Sequence, residues 1–120
     1  MNFIEAVQSG FRRYGSATGR SSRSEYWYWT LFTVLVGVVT FAADYVIFPS
    51  SSWGPIETLS SLALLLPSWA VAIRRLHDIN RTGYWVLLVF TLVGILLLLY
   101  WACIKGTDGD NDYGPDPLRA

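Results

Sequence analysis

One polar stretch, "RRLHDINR" at residues 74–81, sits between two apolar blocks and holds the side chains best suited to chemistry. His77 beside Asp78 spells a dipeptide used by metal-dependent phosphohydrolases, but that reaction needs further histidine and aspartate ligands, and the chain has one histidine. As a general base, His77 would need a nucleophile or substrate pocket that the sequence does not identify. Its titration range near neutral pH suits a sensor, although a solvated loop histidine is the commoner case. A second candidate is the tail, where Asp108, Asp110 and Asp112 alternate like the first ligands of a calcium loop. Such a loop wants glycine at its sixth position and glutamate at its twelfth; counted from Asp108, these are Tyr113 and Arg119. A turn-rich cap built on Asn111, Gly114, Pro115 and Pro117 is the simpler reading. With a single cysteine, Cys103, there is no intrachain disulfide and no zinc cluster. No catalytic, cofactor-binding or metal-binding residue is assigned.

The elements that would position these groups are apolar and long. Residues 26–48 hold one charge, Asp44, near their far end, and residues 84–104 hold none. A helix needs roughly 20 mostly apolar residues to cross a hydrocarbon core about 30 Å thick, so both are expected to span. Residues 56–73 are more polar, with Glu57, Thr58, Ser60, Ser61, Ser68 and Pro67, and are read as a further span because the flanking charges require another crossing. Helices are favoured over strands because an open sheet edge in lipid leaves donors and acceptors unpaired. A soluble helical protein would need a polar face on each helix, and residues 86–104 offer none.

Charge sets the expected orientation. Nine basic and nine acidic side chains cancel, which argues against nucleic acid as a partner. Arg12, Arg13, Arg20 and Arg23 precede the first span, and Arg74, Arg75 and Arg81 lie between the second and third. By the positive-inside rule both groups face the cytoplasm. Three crossings then put the acidic tail, residues 105–120, on the periplasmic side, with Lys105 in reach of Asp44 and Glu57. Trp29, Trp69, Trp85 and Trp101, with their neighbouring tyrosines, are expected as anchors at the water boundaries.

Upstream, Phe3, Val7, Phe11 and Tyr14 share one helical face, so residues 1–15 are expected to form an amphipathic helix in the headgroup layer. "GSATGRS" breaks it, and Ser22 with Glu25 fits a capping box opening the first span. No apolar secretory core precedes it, so the amino terminus is expected to be retained. Arg20 and Arg23 are read as contacts to anionic headgroups, as are Arg74 and Arg75 at a helix carboxyl end. Asn80 and Gly83 supply turn chemistry, and Thr82 is placed to cap the third helix. Asp78 is expected to bridge Arg74 or, as a clamp between two loops, Arg23. Small residues at Gly37, Ser61, Ser68, Ala72 and Gly94 would allow close helix approach.

Three stretches, "GRSSRSEYWYW" (19–29), "RRLHDINRTGYW" (74–85) and "KGTDGDNDYGPDP" (105–117), together with Phe11 and Tyr14, give the chain a resemblance to domain of unknown function 805. That is a family of small bacterial inner-membrane proteins. The resemblance implies a multi-pass inner-membrane location and supplies neither substrate nor catalytic residues. Tyr84 precedes Trp85 where the family usually has tryptophan directly after the glycine. The expectation is thus an all-α, integral membrane three-helix bundle preceded by an interfacial amino-terminal helix. Its polar cluster comprises Arg20, Arg23, Glu25, Arg74, Arg75, His77, Asp78, Asn80 and Arg81. Its expected role is non-enzymatic, in contact with anionic lipid, a second copy or another membrane protein. A subunit of an oligomeric channel or small-solute transporter, with a polar stripe at Thr58, Ser61 and Ser68, is one alternative; an enzyme using His77 and Asp78 is another.

Overall fold

The computed structural model describes residues 2–118, and all regular elements among them are helices. Helix α1 (Phe3–Arg12) starts at a full capping box: Asn2 Oδ1 accepts from the Glu5 amide at 2.8 Å and the Glu5 carboxylate accepts from the Asn2 amide at 3.1 Å. Helix α1 lies across the start of α2 (Arg23–Ile47), edge-on between aromatic rings. Phe11 meets Trp29 at 5.4 Å and Phe32 at 5.7 Å between centroids. A β-carbon at Gly10 would collide with the Trp29 ring, so glycine permits this approach. Trp29 is consequently core, 2% exposed, rather than the boundary anchor its position suggested.

Helix α3 (Pro55–Asp78) returns antiparallel to α2 and continues through Pro67. At the far end of this pair, Asp44 caps α3 across the loop. Its carboxylate accepts from the Ile56 amide at 2.8 Å and the Glu57 amide at 2.9 Å, satisfying donors that a helix start leaves free. Lys105 is elsewhere and pairs with Asp108 at 2.9 Å, so the expected reach from Lys105 to Asp44 and Glu57 is not present. Asp44→Ala is expected to cost about 1–2 kcal/mol, the range for a lost helix cap, read as earlier thermal unfolding in detergent; Glu57→Ala, which leaves both amides capped, should cost less.

Helices α2 and α3 are long and apolar enough to cross a membrane, and of their most apolar stretches only 6% and 17% is buried inside the protein. Val34, Val38, Phe41, Leu59, Leu62 and Leu66 all face outward. Core helices of soluble proteins bury such side chains; these present them to lipid.

The expected third span, residues 84–104, does not form one. Its first part is a 3-10 helix, Gly83–Phe90, and after Thr91 the chain reverses into α4 (Leu92–Cys103). At about 2.0 and 1.5 Å rise per residue these arms are roughly 16 and 18 Å long, too short to cross a 30 Å core. Thr91 drives the reversal: its hydroxyl oxygen accepts from the Gly94 amide at 3.0 Å, making Thr91, and not Thr82, the residue whose side chain caps a helix here. A β-carbon at Gly94 would meet the Leu88 carbonyl and Thr91 itself. Gly94 therefore serves a turn and not a contact between helices, and a β-carbon at Gly37 would meet nothing. The arms close on each other, with the Trp85 and Trp101 rings 5.6 Å apart and edge-on. Hydropathy alone could not register this fold-back, since both arms are uniformly apolar.

It follows that the tail starts beside the amino-terminal segment. The Arg23 guanidinium donates to the Cys103 carbonyl at 3.2 Å, and Trp27 Nε1 donates to the Ala102 carbonyl at 2.9 Å. The expected placement of the tail at the opposite end of the molecule is corrected by these contacts.

Candidate functional site: a buried polar knot

Three segments distant in sequence meet at this end: the loop 13–25, the end of α3 with its turn, and the tail. Asn80, at φ 60°, ends α3 in the left-handed region that asparagine tolerates. The Arg81 amide bonds the Leu76 carbonyl and the Asn80 amide the His77 carbonyl, both at 2.9 Å, which forms a Schellman closure. This turn leaves the last four residues of α3 pointing into the protein.

Arg20 is the hub. Its Nε donates to Asp78 Oδ1 at 3.0 Å, Nη2 to the Thr107 carbonyl at 2.6 Å and the Asp78 carbonyl at 3.4 Å, and Nη1 to the Gly109 and Gly114 carbonyls at 2.6 and 3.3 Å. A guanidinium has five N–H groups in a rigid fork, and this one spends them on one carboxylate and four carbonyls. Asp78 also pairs with Arg75, whose Nη2 donates to the Trp101 and Ile104 carbonyls. Gly106 packs on the Asp78 carboxylate with no room for a β-carbon, and the Thr107 amide donates to the Asp78 carbonyl at 2.7 Å.

A second centre lies beside the first. Arg74, with no exposed surface, donates to Glu25 Oε1 at 3.3 Å, Ser21 Oγ at 3.1 Å and the Arg13 and Ser16 carbonyls. Ser21 returns a bond from its amide to the Arg74 carbonyl at 3.0 Å. Glu25 also accepts from Ser9 of α1 at 3.2 Å. The Ser22 hydroxyl caps α2 by accepting from the Glu25 amide at 3.3 Å, but the Glu25 carboxylate is drawn inward and does not complete the expected box.

His77 is buried beneath the tail, against the expectation of a solvated ring. Its Nδ1 lies 2.9 Å from the Gly19 carbonyl, and its ring stacks on Tyr113 with centroids 4.1 Å apart and planes 2° from parallel. Asn111 Nδ2 donates to the His77 carbonyl at 2.9 Å, and Asn80 Oδ1 accepts from the Asp112 amide at 3.2 Å. Arg81 is exposed and lies over the Trp101 ring, 4.5 Å from its centroid.

Of the nine residues singled out, Arg20, Glu25, Arg74, Arg75, His77 and Asp78 are buried together; Arg23, Asn80 and Arg81 border them. The expected partners are rearranged: Asp78 holds Arg20 and Arg75, not Arg74 or Arg23. Burial also removes Arg20, Arg74 and Arg75 from the headgroup contacts assigned to them. Sequence reasoning missed Ser9, Ser21, Thr107, Asn111 and Tyr113. Their signal was the joint occurrence of the three polar stretches, which the knot now explains as one contact. Among the described residues no three His, Cys, Asp or Glu side chains gather as metal ligands.

Two long apolar helices, a short apolar hairpin and a polar knot at one end define a helical membrane protein. The pattern of a family described as protein of unknown function (DUF805) matches residues 14–115, and this chain belongs to that family. It is 40% identical over 110 residues to inner membrane protein YhaI of Escherichia coli, covering 91% of this chain and 92% of that one. To inner membrane protein YhaH of the same organism it is 34% identical over 109 residues, covering 88% and 90%. Uncharacterized protein YiiR, also from Escherichia coli, is 26% identical over 131 residues. No solved structure shows significant similarity to the chain.

Proposed function

We propose that the chain is a non-catalytic inner-membrane protein whose knot locks two spanning helices, a re-entrant hairpin and the tail into one cytoplasmic platform, held to anionic lipid by exposed cations at its rim. One observation carries this reading: Arg20, Glu25, Arg74, Arg75 and Asp78 are each at most 4% exposed and partnered within the chain. Charges consumed by one another organise a fold and are not presented to a substrate. Orientation is supported by charge. Arg12, Arg13, Arg20, Arg23, Arg74, Arg75, Arg81 and Lys105 belong to the knot end, whereas Asp44 and Glu57 occupy the other. Two crossings in place of three bring the acidic tail to the cytoplasmic side with the amino terminus. Names of the two nearer relatives described above agree with an inner-membrane location.

Lipid contact passes from the buried arginines to Arg12, Arg23 and Arg81, which are exposed. Each is worth about 1 kcal/mol near an anionic surface. In mixed phosphatidylglycerol–phosphatidylcholine bilayers the protein is expected to resist thermal unfolding better than in phosphatidylcholine alone. The triple Arg→Gln variant at 12, 23 and 81 should lose that gain; a gain unchanged in the variant would remove the lipid role. The channel alternative has less support, because the proposed stripe is occupied. Thr58 donates to the Trp53 carbonyl, Ser61 to Glu57, and Ser68 accepts from Trp29 Nε1 at 3.0 Å.

A further inference from the structure

The molecule changes girth along its length. The tip of the hairpin lies beside Trp69, whose ring centroid is 6.4 Å from that of Phe90. Trp69 is nine residues from the knot end of α3 and fourteen from its other end, roughly 14 and 21 Å of rise. Helix α1 meets α2 through Tyr28, Trp29 and Phe32, all within the first ten residues of α2, and Tyr14 extends this side to the Ala63 carbonyl. Among the described residues, α2 and α3 continue beyond these contacts as a bare pair. Val38, Val39, Phe41, Tyr45, Leu59 and Leu62 are 62–75% exposed there, and a β-carbon at Gly37 would meet nothing. We infer that the protein is a membrane wedge, broad at the knot and narrow at the far end, which favours a bilayer that bulges toward the knot side.

Areas set the asymmetry. A helix with its side chains is about 10 Å across, so each upright helix or arm displaces on the order of 100 Å² of a leaflet. Two helices therefore displace about 200 Å² at the far end. At the knot end the two arms double this, and α1, ten residues lying across α2, adds roughly 150 Å² more. One leaflet thus receives nearly three times the inserted area of the other. Insertions confined to one leaflet respond to curvature, because a convex leaflet opens the space between headgroups that the added area fills. A loose hairpin could splay and even out the difference, but this one is pinned. Arg75 holds the Trp101 and Ile104 carbonyls, Trp27 the Ala102 carbonyl and Arg23 the Cys103 carbonyl. The inference rests on the two-crossing reading above. Its partner is a lipid surface recognised by shape, whatever the headgroup, and so differs from the anionic lipid held at the rim.

The test uses full-length wild type in giant phosphatidylcholine vesicles, which lack the anionic headgroups read by the rim. Cys103, the one cysteine, is exposed at the knot end and reports orientation. A membrane-impermeant red maleimide labels molecules with the knot outside, and a permeant green one then labels the rest. A narrow tube, whose outer leaflet is convex, is pulled from each vesicle, and molecules exchange between the two by lateral diffusion. The red-to-green ratio in the tube is expected to be about twofold or more above that in its parent vesicle. An equal ratio overturns the inference, including the case in which a second copy fills out the far half, and so does a lower one. Failure of the two-crossing reading shows separately. External protease should remove an amino-terminal tag from the red molecules; removal from the green ones alone sinks the fold-back and the wedge together. A tag lost from red molecules with an equal ratio sinks the wedge alone.

Discussion

Arg20→Ala is expected to be among the most damaging single substitutions in the chain. The side chain is 1% exposed, and its removal leaves the 6%-exposed Asp78 carboxylate with Arg75 alone and frees the carbonyls of Thr107, Gly109 and Gly114 together. Removing one member of a buried ion pair costs about 3–5 kcal/mol, mostly as the penalty of the charge left behind. Arg20→Lys should recover little, because an ammonium cannot reach the same acceptors from a rigid fork. Arg23→Ala provides the contrast, since Arg23 is exposed and donates one bond to Cys103; its cost should stay within about 1 kcal/mol. Thermal unfolding in detergent checks the order, and limited proteolysis should show the tail of the Arg20→Ala protein cut first. Equal stability of the Arg20 and Arg23 variants would mean that the hub is misassigned.

Arg74→Met should be comparably severe for a different reason. Arg74 binds the loop after α1 at Arg13 and Ser16, the α2 cap region at Ser21, and Glu25, which also holds α1 through Ser9. Methionine fills part of the volume but strands Glu25, again at a cost of about 3–5 kcal/mol. Adding Glu25→Gln removes the stranded charge, so the double variant should be more stable than Arg74→Met alone. That recovery, measured as a double-mutant cycle in the unfolding midpoint, separates ion pairing from packing. Additive losses would show that Arg74 acts by filling space.

Much of the architecture was readable from the chain. The amphipathic amino-terminal helix, the two long apolar helices and the chemistry of the 74–81 turn follow from local pattern, whereas the Asn2–Glu5 cap emerged only in the structure. Asn80 announces its turn because few other residues take a positive φ cheaply. Harder to read was residues 84–104, where apolar content is the same for one 21-residue span and for two short arms. The deciding signals are Thr91 and Gly94, and both look ordinary in a membrane helix, where such residues are frequent. Everything downstream inherited that choice: the side of the tail, the partner of Lys105 and the covering of His77. Within the site the residue types were legible but the pairing was not, because Arg20 and Arg23 both precede α2 and only three-dimensional position tells which turns inward.

The central claim is that the chain turns back at Thr91 and returns its tail to the end where α1 begins. Fusing green fluorescent protein or alkaline phosphatase to the carboxyl terminus in a Gram-negative host reads this directly, since the first fluoresces only in the cytoplasm and the second is active only outside it. The account predicts a fluorescent fusion and an inactive phosphatase, matching fusions at the amino terminus. An active carboxyl-terminal phosphatase beside a cytoplasmic amino terminus would mean that residues 84–104 cross the bilayer, and the knot described here could not form.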